Sequence, residues 1–229
     1  SSHADMRCHL TGSQTAMFWG KMFPVSFKEK PIIKKDTFSL WGKVLVACIP
    51  SAIMGLLFDD FLEAHLGTPI VIAAMLILYG VLFIVIEGWN EKRKPKTNTL
   101  AEISYPTAFI IGMFQVLSLI PGTSRSGATI IGALIIGVSR VAAAEFSFFL
   151  AVPTMFGASG FKLVKFGFDF TGLELLTLGC GMVVAFVVSI MAIKFLMGYI
   201  KKNDFRAFGW YRIILGIIVL LYFGIRGIM

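Results

Sequence analysis

Apolar length is the feature that most constrains this chain. Five runs with few charges follow one another: Leu40 to Phe58, Pro69 to Ile86, Ala142 to about Gly160, Leu173 to Ile200 and Trp210 to Gly224. Runs near or above about 18 apolar residues read as helices that cross a bilayer, where a helix satisfies its own backbone hydrogen bonds. The expected fold is all-α, a polytopic membrane helix bundle in which residues 1–229 form a single integral membrane domain. Composition agrees, with 57% hydrophobic and 15% charged residues and a mean hydropathy of +0.83, against about 25% charge in a soluble domain. Pro50 inside the first run is tolerated where neighbouring helices satisfy the carbonyl it frees.

The net charge of +8 raises nucleic acid as a partner, and the placement of the charge argues against it. Lys and Arg sit in short segments between apolar runs, at 21–35, 91–96, 140 and 201–206, rather than along a groove. Alternating the runs across a membrane puts these segments on the cytoplasmic side. The acidic residues Asp59, Asp60 and Glu63, read as a short loop, fall outside. Lys162 and Lys165 also fall outside, against the rule. Cys8, Cys48 and Cys180 lack CxxC spacing, and His3, His9 and His65 lack ligand spacing, so no metal ligands are identified. Residues 1–39 form an atypical N-terminal segment, whose first 20 residues have no initiator Met, apolar run or signal-peptide pattern. No period of about 20–50 residues repeats, which argues against a solenoid.

Two shorter runs interrupt the series. Tyr105 to Ile120 and Gly127 to Val138 reach roughly 24 and 18 Å as helices, against a hydrocarbon core of about 30 Å. Neither spans comfortably, and a re-entrant hairpin over 105–140, entering and leaving on the same side, fits the lengths. Between the arms lies Pro121-Gly122, followed by Thr123, Ser124, Arg125, Ser126 and Thr129. Non-helical backbone at membrane depth survives only when buried in protein or lining a cavity. A Pro/Gly break between short apolar arms is the sequence sign of a discontinuous helix at a binding site.

Past the break a new helix starts near Ser124 to Gly127. Its first N–H groups have no carbonyl to bond and its dipole is positive there, which favours anions and phosphate above all. Gly122 lets the backbone approach closely. Arg125 brings a permanent planar fork of donors matched to phosphate oxygens, and Thr123, Ser124, Ser126 and Thr129 add hydroxyls. The plainer alternative has a simple turn, Ser124 as an N-cap and Arg125 as an anchor reaching the headgroups. An arginine buried in the membrane is functional by default, a loop arginine at the interface is not, and run length leaves both open.

Supporting candidates are fewer. Glu145 lies near the start of the next helix, where it pairs with Arg125 across the bundle or stands as an interfacial carboxylate. Gln115 precedes the break and hydrogen-bonds either the turn or another helix. Asp59, Asp60 and Glu63 have the chemistry to hold a hard cation, but their position favours a solvated loop.

"PGTSRSGAT", residues 121–129, resembles the P-G-x-S-R-S-x-x-T motif of the bacterial undecaprenyl-diphosphate phosphatases, the bacitracin-resistance family. "FQVLSLIPG" at 114–122, "EFSFFLAVPTMFGA" at 145–158 and "KVLVACIPSAIMGLLFDD" at 43–60 look like the same family, and the resemblance covers roughly residues 15–229. It implies a multi-pass protein of the bacterial cytoplasmic membrane with inverted repeats and two re-entrant hairpins, the first repeat being incomplete here. It implies hydrolysis of undecaprenyl diphosphate to the monophosphate carrier of cell-wall synthesis, with Ser124 and Arg125 catalytic. Gly122, Thr123, Ser126 and Thr129 would then bind the substrate phosphate. The family's N-terminal glutamate-rich motif and S-S-T-G-H segment do not stand in this sequence, and His3 is not given that histidine's role. A divalent cation, Mg or Ca, is implied as cofactor, with no ligands identifiable in this chain. The start "SSHADM" suggests a truncated, spliced or misassembled form, expected to turn over little on its own.

The expected partners are a prenyl diphosphate lipid, the bilayer and a second copy of the chain, with no nucleic acid. Three functions compete: a lipid diphosphate phosphatase or its inactive remnant, a transporter or flippase of an anionic lipid or small anion, and a structural membrane subunit. Broken helices that point an N-terminus at an anion also belong to transporters. Catalysis needs a general acid or base and often a metal, and transport needs neither.

Overall fold

The computed structural model describes residues 35–166, 172–200 and 203–225. Residues 1–34 of the atypical N-terminal segment, with His3, Cys8 and His9, lie outside the described residues. So do Asp169, Lys201 and Lys202. Seven α-helices are described: α1 Lys35–Leu66, α2 Pro69–Asn90, α3 Tyr105–Val116, α4 Arg125–Ile135, α5 Arg140–Phe166, α6 Gly172–Ile200 and α7 Arg206–Ile225. A 3-10 turn, Leu117–Leu119, continues α3. The chain divides into two compact units, Ser1–Gly42 and Lys43–Met229; the first contributes only residues 35–42 to the described part.

Five of the helices are long and apolar enough to cross a membrane, in the windows Phe38–Phe58, Pro69–Asn90, Arg140–Phe161, Leu176–Ile200 and Arg206–Ile225. The protein is thus an all-α, multi-pass membrane bundle. One expected boundary moves. Asp59, Asp60 and Glu63 do not form a loop but belong to the last turns of α1, which runs on to Leu66. No Gly or Pro stands between Leu56 and Leu66 to stop the helix. The real break is Gly67-Thr68-Pro69, where the Thr68 hydroxyl accepts the Val71 N–H and Pro69 occupies the first turn of α2.

Glycines set the direction of the pairs. A Cβ at Gly80 of α2 would lie 2.7 Å from the Gly209 carbonyl oxygen of α7, and one at Gly216 of α7 would lie 3.0 Å from the Ala73 oxygen of α2. Small residues let membrane helices bring their backbones together. Since 80 meets 209 and 73 meets 216, α2 and α7 are antiparallel. On α3, Gly112 presses on the Ala47 backbone of α1, while Leu119 lies against Gly55. Those pairs ascend together, so α1 and α3 are parallel. Both directions match alternation across a membrane.

The two short helices form a hairpin with its feet joined. Before α3, the Lys96 N–H donates to the Gly137 carbonyl at 2.8 Å; after α4, the Ser139 N–H donates to the Thr97 carbonyl at 2.8 Å. The Ser139 hydroxyl also donates to the Asn98 carbonyl at 3.0 Å. Gly137 makes this clasp at φ +93°, a left-handed conformation that glycine adopts without strain. Glu102 braces the loop, taking the Asn98 N–H at 2.7 Å and the Thr99 hydroxyl at 3.0 Å. These two donors hold its carboxyl below the usual carboxylate range.

A buried ion pair anchors the same end. The Glu87 carboxylate, fully enclosed, pairs with Arg140 and accepts the Phe205 N–H at 3.4 Å. It joins the end of α2, the start of α5 and the approach to α7. The other end of α2 meets the hairpin tip: a Cβ at Gly122 would lie 2.5 Å from the Ile72 carbonyl oxygen. The hairpin therefore runs alongside α2 from its last turns to its first.

Candidate functional site

The tip is built from the break outward. Ile120 is extended (φ −73°, ψ 122°) and ends the 3-10 turn. Gly122 follows at φ +90°, and the Thr123 N–H closes the turn on the Ile120 carbonyl at 3.1 Å. Ser124 then caps α4, its hydroxyl accepting the Gly127 N–H at 3.3 Å. The N–H groups of Arg125 and Ser126 open the helix and have no carbonyl one turn back to bond. Ser124 and Ser126 share a hydroxyl hydrogen bond at 3.0 Å. Two hydroxyls sharing one bond keep one O–H for a ligand.

Four buried side-chain atoms here have no hydrogen-bond partner among the described residues: Thr123 Oγ1, Arg125 Nη1, Arg212 Nε and Gln115 Oε1. Three are donors, or in threonine's case able to donate, and they accompany the open end of α4. Buried polar groups are nearly always paired, so such a concentration is the chemistry of a ligand-binding site. Arg212, on α7, also donates through Nη2 to the Gly122 carbonyl at 2.9 Å, and its guanidinium lies 5.9 Å from the Tyr79 ring centroid. A cationic, hydrogen-bond-donating cluster of this kind is suited to a phosphate or diphosphate.

Comparison with known proteins gives this geometry a context. Residues 11–218 match the model of the bacitracin resistance protein BacA. The chain belongs to the BacA family. Over 207 residues it is 77% identical to an undecaprenyl-diphosphatase of Enterococcus faecalis, covering 90% of this chain and 75% of that protein. It is 58% identical over 214 residues to one from Desulfitobacterium hafniense, covering 93% and 77%. One from Acetivibrio thermocellus is 60% identical over 207 residues, covering 90% and 76%.

In this BacA-family chain the residues singled out by sequence separate into two groups. Gly122, Thr123, Ser124, Arg125 and Ser126 share the tip. Thr129 faces elsewhere: 1% exposed, its hydroxyl lies 3.0 Å from the Arg125 carbonyl, 3.1 Å from the Ser126 carbonyl and 2.8 Å from the Ser147 hydroxyl of α5. It locks α4 to α5 rather than facing the open donors. Glu145, in the first turns of α5, is not without a partner. Gln115 bonds another helix instead of the turn: its Nε2 donates to the Ser51 hydroxyl of α1 at 2.7 Å.

Arg212, Ser51, Cys48, Thr154 and Glu87 were not singled out from sequence. Arg212 stands two residues after Trp210 and reads as a membrane-edge anchor. Glu87 reads as the start of the basic loop, though the carboxylate just before Trp89 interrupts an apolar run and was a usable signal. Among the described residues, no group of three His, Cys, Asp or Glu side chains is placed to supply ligands for the implied divalent cation.

Proposed function

We propose that this chain is a membrane-embedded phosphatase that hydrolyses undecaprenyl diphosphate to undecaprenyl phosphate and phosphate, in the bacterial cytoplasmic membrane. The observation that carries the reading is the unpartnered Arg125 guanidinium N–H at the open N-terminus of α4, in a chain whose relatives are named for this activity. Arg125 and the N–H groups of Arg125 and Ser126 hold the terminal phosphate and stabilise charge as the bridging P–O bond breaks. Ser124 and Ser126 supply a hydroxyl to the same group. Thr123 adds its free hydroxyl, and Gly122 gives the backbone its close turn. The basic loops at the clasp end belong on the cytoplasmic side, so the tip reaches toward the opposite face.

The test is phosphate release from a prenyl diphosphate by the purified chain in vesicles. Arg125→Lys keeps the charge and loses the fork; it should lower turnover by about 10²- to 10³-fold, the usual cost of removing one oriented donor at a reacting oxyanion. Measuring lipid translocation in the same vesicles separates the transporter reading. Translocation without phosphate release, abolished by Arg125→Lys, would replace the phosphatase.

A further inference from the structure

One face of α2 is exposed from its middle to its last turn: Leu78, Val81, Val85 and Trp89. Spacings of three and four residues keep these side chains on a single stripe, so this is the edge of α2 that meets acyl chains. The stripe finishes in cations. Beyond Asn90 the chain reads Glu91-Lys92-Arg93-Lys94-Pro95-Lys96, and every one of these residues is exposed. The Arg93 guanidinium folds back onto the Trp89 ring, 3.6 Å from its centroid.

Charge in this segment is unbalanced. Its one acid, Glu91, is taken by Arg206 of α7 at 2.7 Å. Lys92, Arg93, Lys94 and Lys96 have no ion pair among the described residues. A guanidinium stacked on an aromatic ring keeps its N–H groups at its edge, so the stack steadies the fork without consuming its donors. Tryptophan marks the level where acyl chains give way to headgroups. Arg93 therefore stands at the level of lipid phosphates, directly above an apolar stripe that a tail can follow.

The segment is also tied to the hairpin. The Lys96 N–H makes one of the clasp bonds, to the Gly137 carbonyl at 2.8 Å. The stem of its side chain passes the same glycine, where a Cβ would lie 3.4 Å from Lys96 Cγ.

We infer that Trp89 and Arg93 are the centre of a binding site for an anionic phospholipid of the basic-loop leaflet. The phosphate takes the Arg93 fork, and an acyl chain lies along Val85, Val81 and Leu78. Lys92, Lys94 and Lys96 add attraction to the negative headgroup. Because the segment carries Lys96 into the clasp, a lipid held here braces the feet of the re-entrant hairpin. Nothing in this depends on the chemistry at the tip.

The experiment takes the full chain from micelles holding equal amounts of phosphatidylglycerol and phosphatidylcholine and weighs the lipid it retains by native mass spectrometry. Phosphatidylglycerol should be retained in preference. Arg93→Gln should cut that preference by more than about fivefold, the weight of one basic residue at an anionic leaflet, because the fork is lost with the charge. Lys94→Gln should cost no more than that. Trp89→Leu keeps every charge and an apolar side chain, and should still lower the preference by releasing the fork. Equal losses from Arg93→Gln and Lys94→Gln, with none from Trp89→Leu, would show diffuse attraction and overturn the inference. Displacement of phosphatidylglycerol by inorganic phosphate at matched ionic strength would overturn it too, by marking a site for a free anion. Hydrogen exchange at the Lys96, Thr97 and Ser139 amides should be slower in phosphatidylglycerol than in phosphatidylcholine, and the difference should vanish in Arg93→Gln. Equal exchange in the two lipids would remove the bracing.

Discussion

Two arginines from distant helices meet at the tip: Arg125 opens α4, and Arg212 of α7 donates to the Gly122 carbonyl at 2.9 Å. Arg125 announces itself because it stands between a Pro-Gly break and a hydroxyl cluster. Arg212 sits 90 positions from the glycine whose carbonyl it binds, and nothing local distinguishes it from a membrane-edge arginine. Ser51, Thr154 and Ser147 are illegible for the same reason: a lone hydroxyl in an apolar run acquires meaning only from the helix that packs against it. Arg212→Gln keeps a donor of shorter reach and removes the cation. The Gly122 carbonyl then loses its charged partner and the tip its second positive group, so kcat/KM for the prenyl diphosphate should fall at least about tenfold, the weight of one charge-assisted hydrogen bond. Steady-state kinetics at matched protein levels checks it.

Among the elements, run lengths revealed the hairpin, because two helices of 12 and 11 residues are too short to span. The clasp between 96–98 and 137–139 was not readable, since backbone pairing between distant loops leaves no side-chain pattern. Nor was the length of α1: charge suggested a loop where the backbone remains helical. The two left-handed glycines offer a graded test. Gly122→Ala carries the conformational cost of about 1–2 kcal/mol and also drives a methyl into the Ile72 backbone, which has no rotamer to yield. Gly137→Ala carries the first cost, but its nearest neighbour is the flexible Lys96 side chain at 3.4 Å. Thermal unfolding in detergent should therefore show Gly122→Ala as clearly the more damaging, and phosphate release should follow the same order.

Over the whole molecule, alternation of basic and acidic segments was enough to order the spans. The glycine contacts of α2 with α7 and of α1 with α3 agree with that order independently. What charge could not reveal is the buried pairing of Glu87 with Arg140, where a carboxylate near the end of α2 and the arginine that starts α5 close on each other. Function was legible further than physics alone would allow, because a nine-residue motif carried it; the hydrogen bonds of Gln115 with Ser51 and Thr154 are scattered over α1, α3 and α5 and carry no motif at all.

The clasp has a consequence for where the enzyme can work. With its feet fixed at one face, the hairpin is a ruler: α3 and its 3-10 turn reach about 24 Å from the basic-loop side. A hydrocarbon core of about 30 Å leaves the tip just beneath the far headgroups, at the depth where a lipid's diphosphate can dip to meet it. The ruler does not lengthen in a thicker membrane. Turnover in vesicles of increasing acyl-chain length should hold up to ordinary thickness and then decline as mismatch grows, with the same enzyme recovering when returned to thinner lipid. Bilayer composition becomes, for this fold, a control on substrate reach.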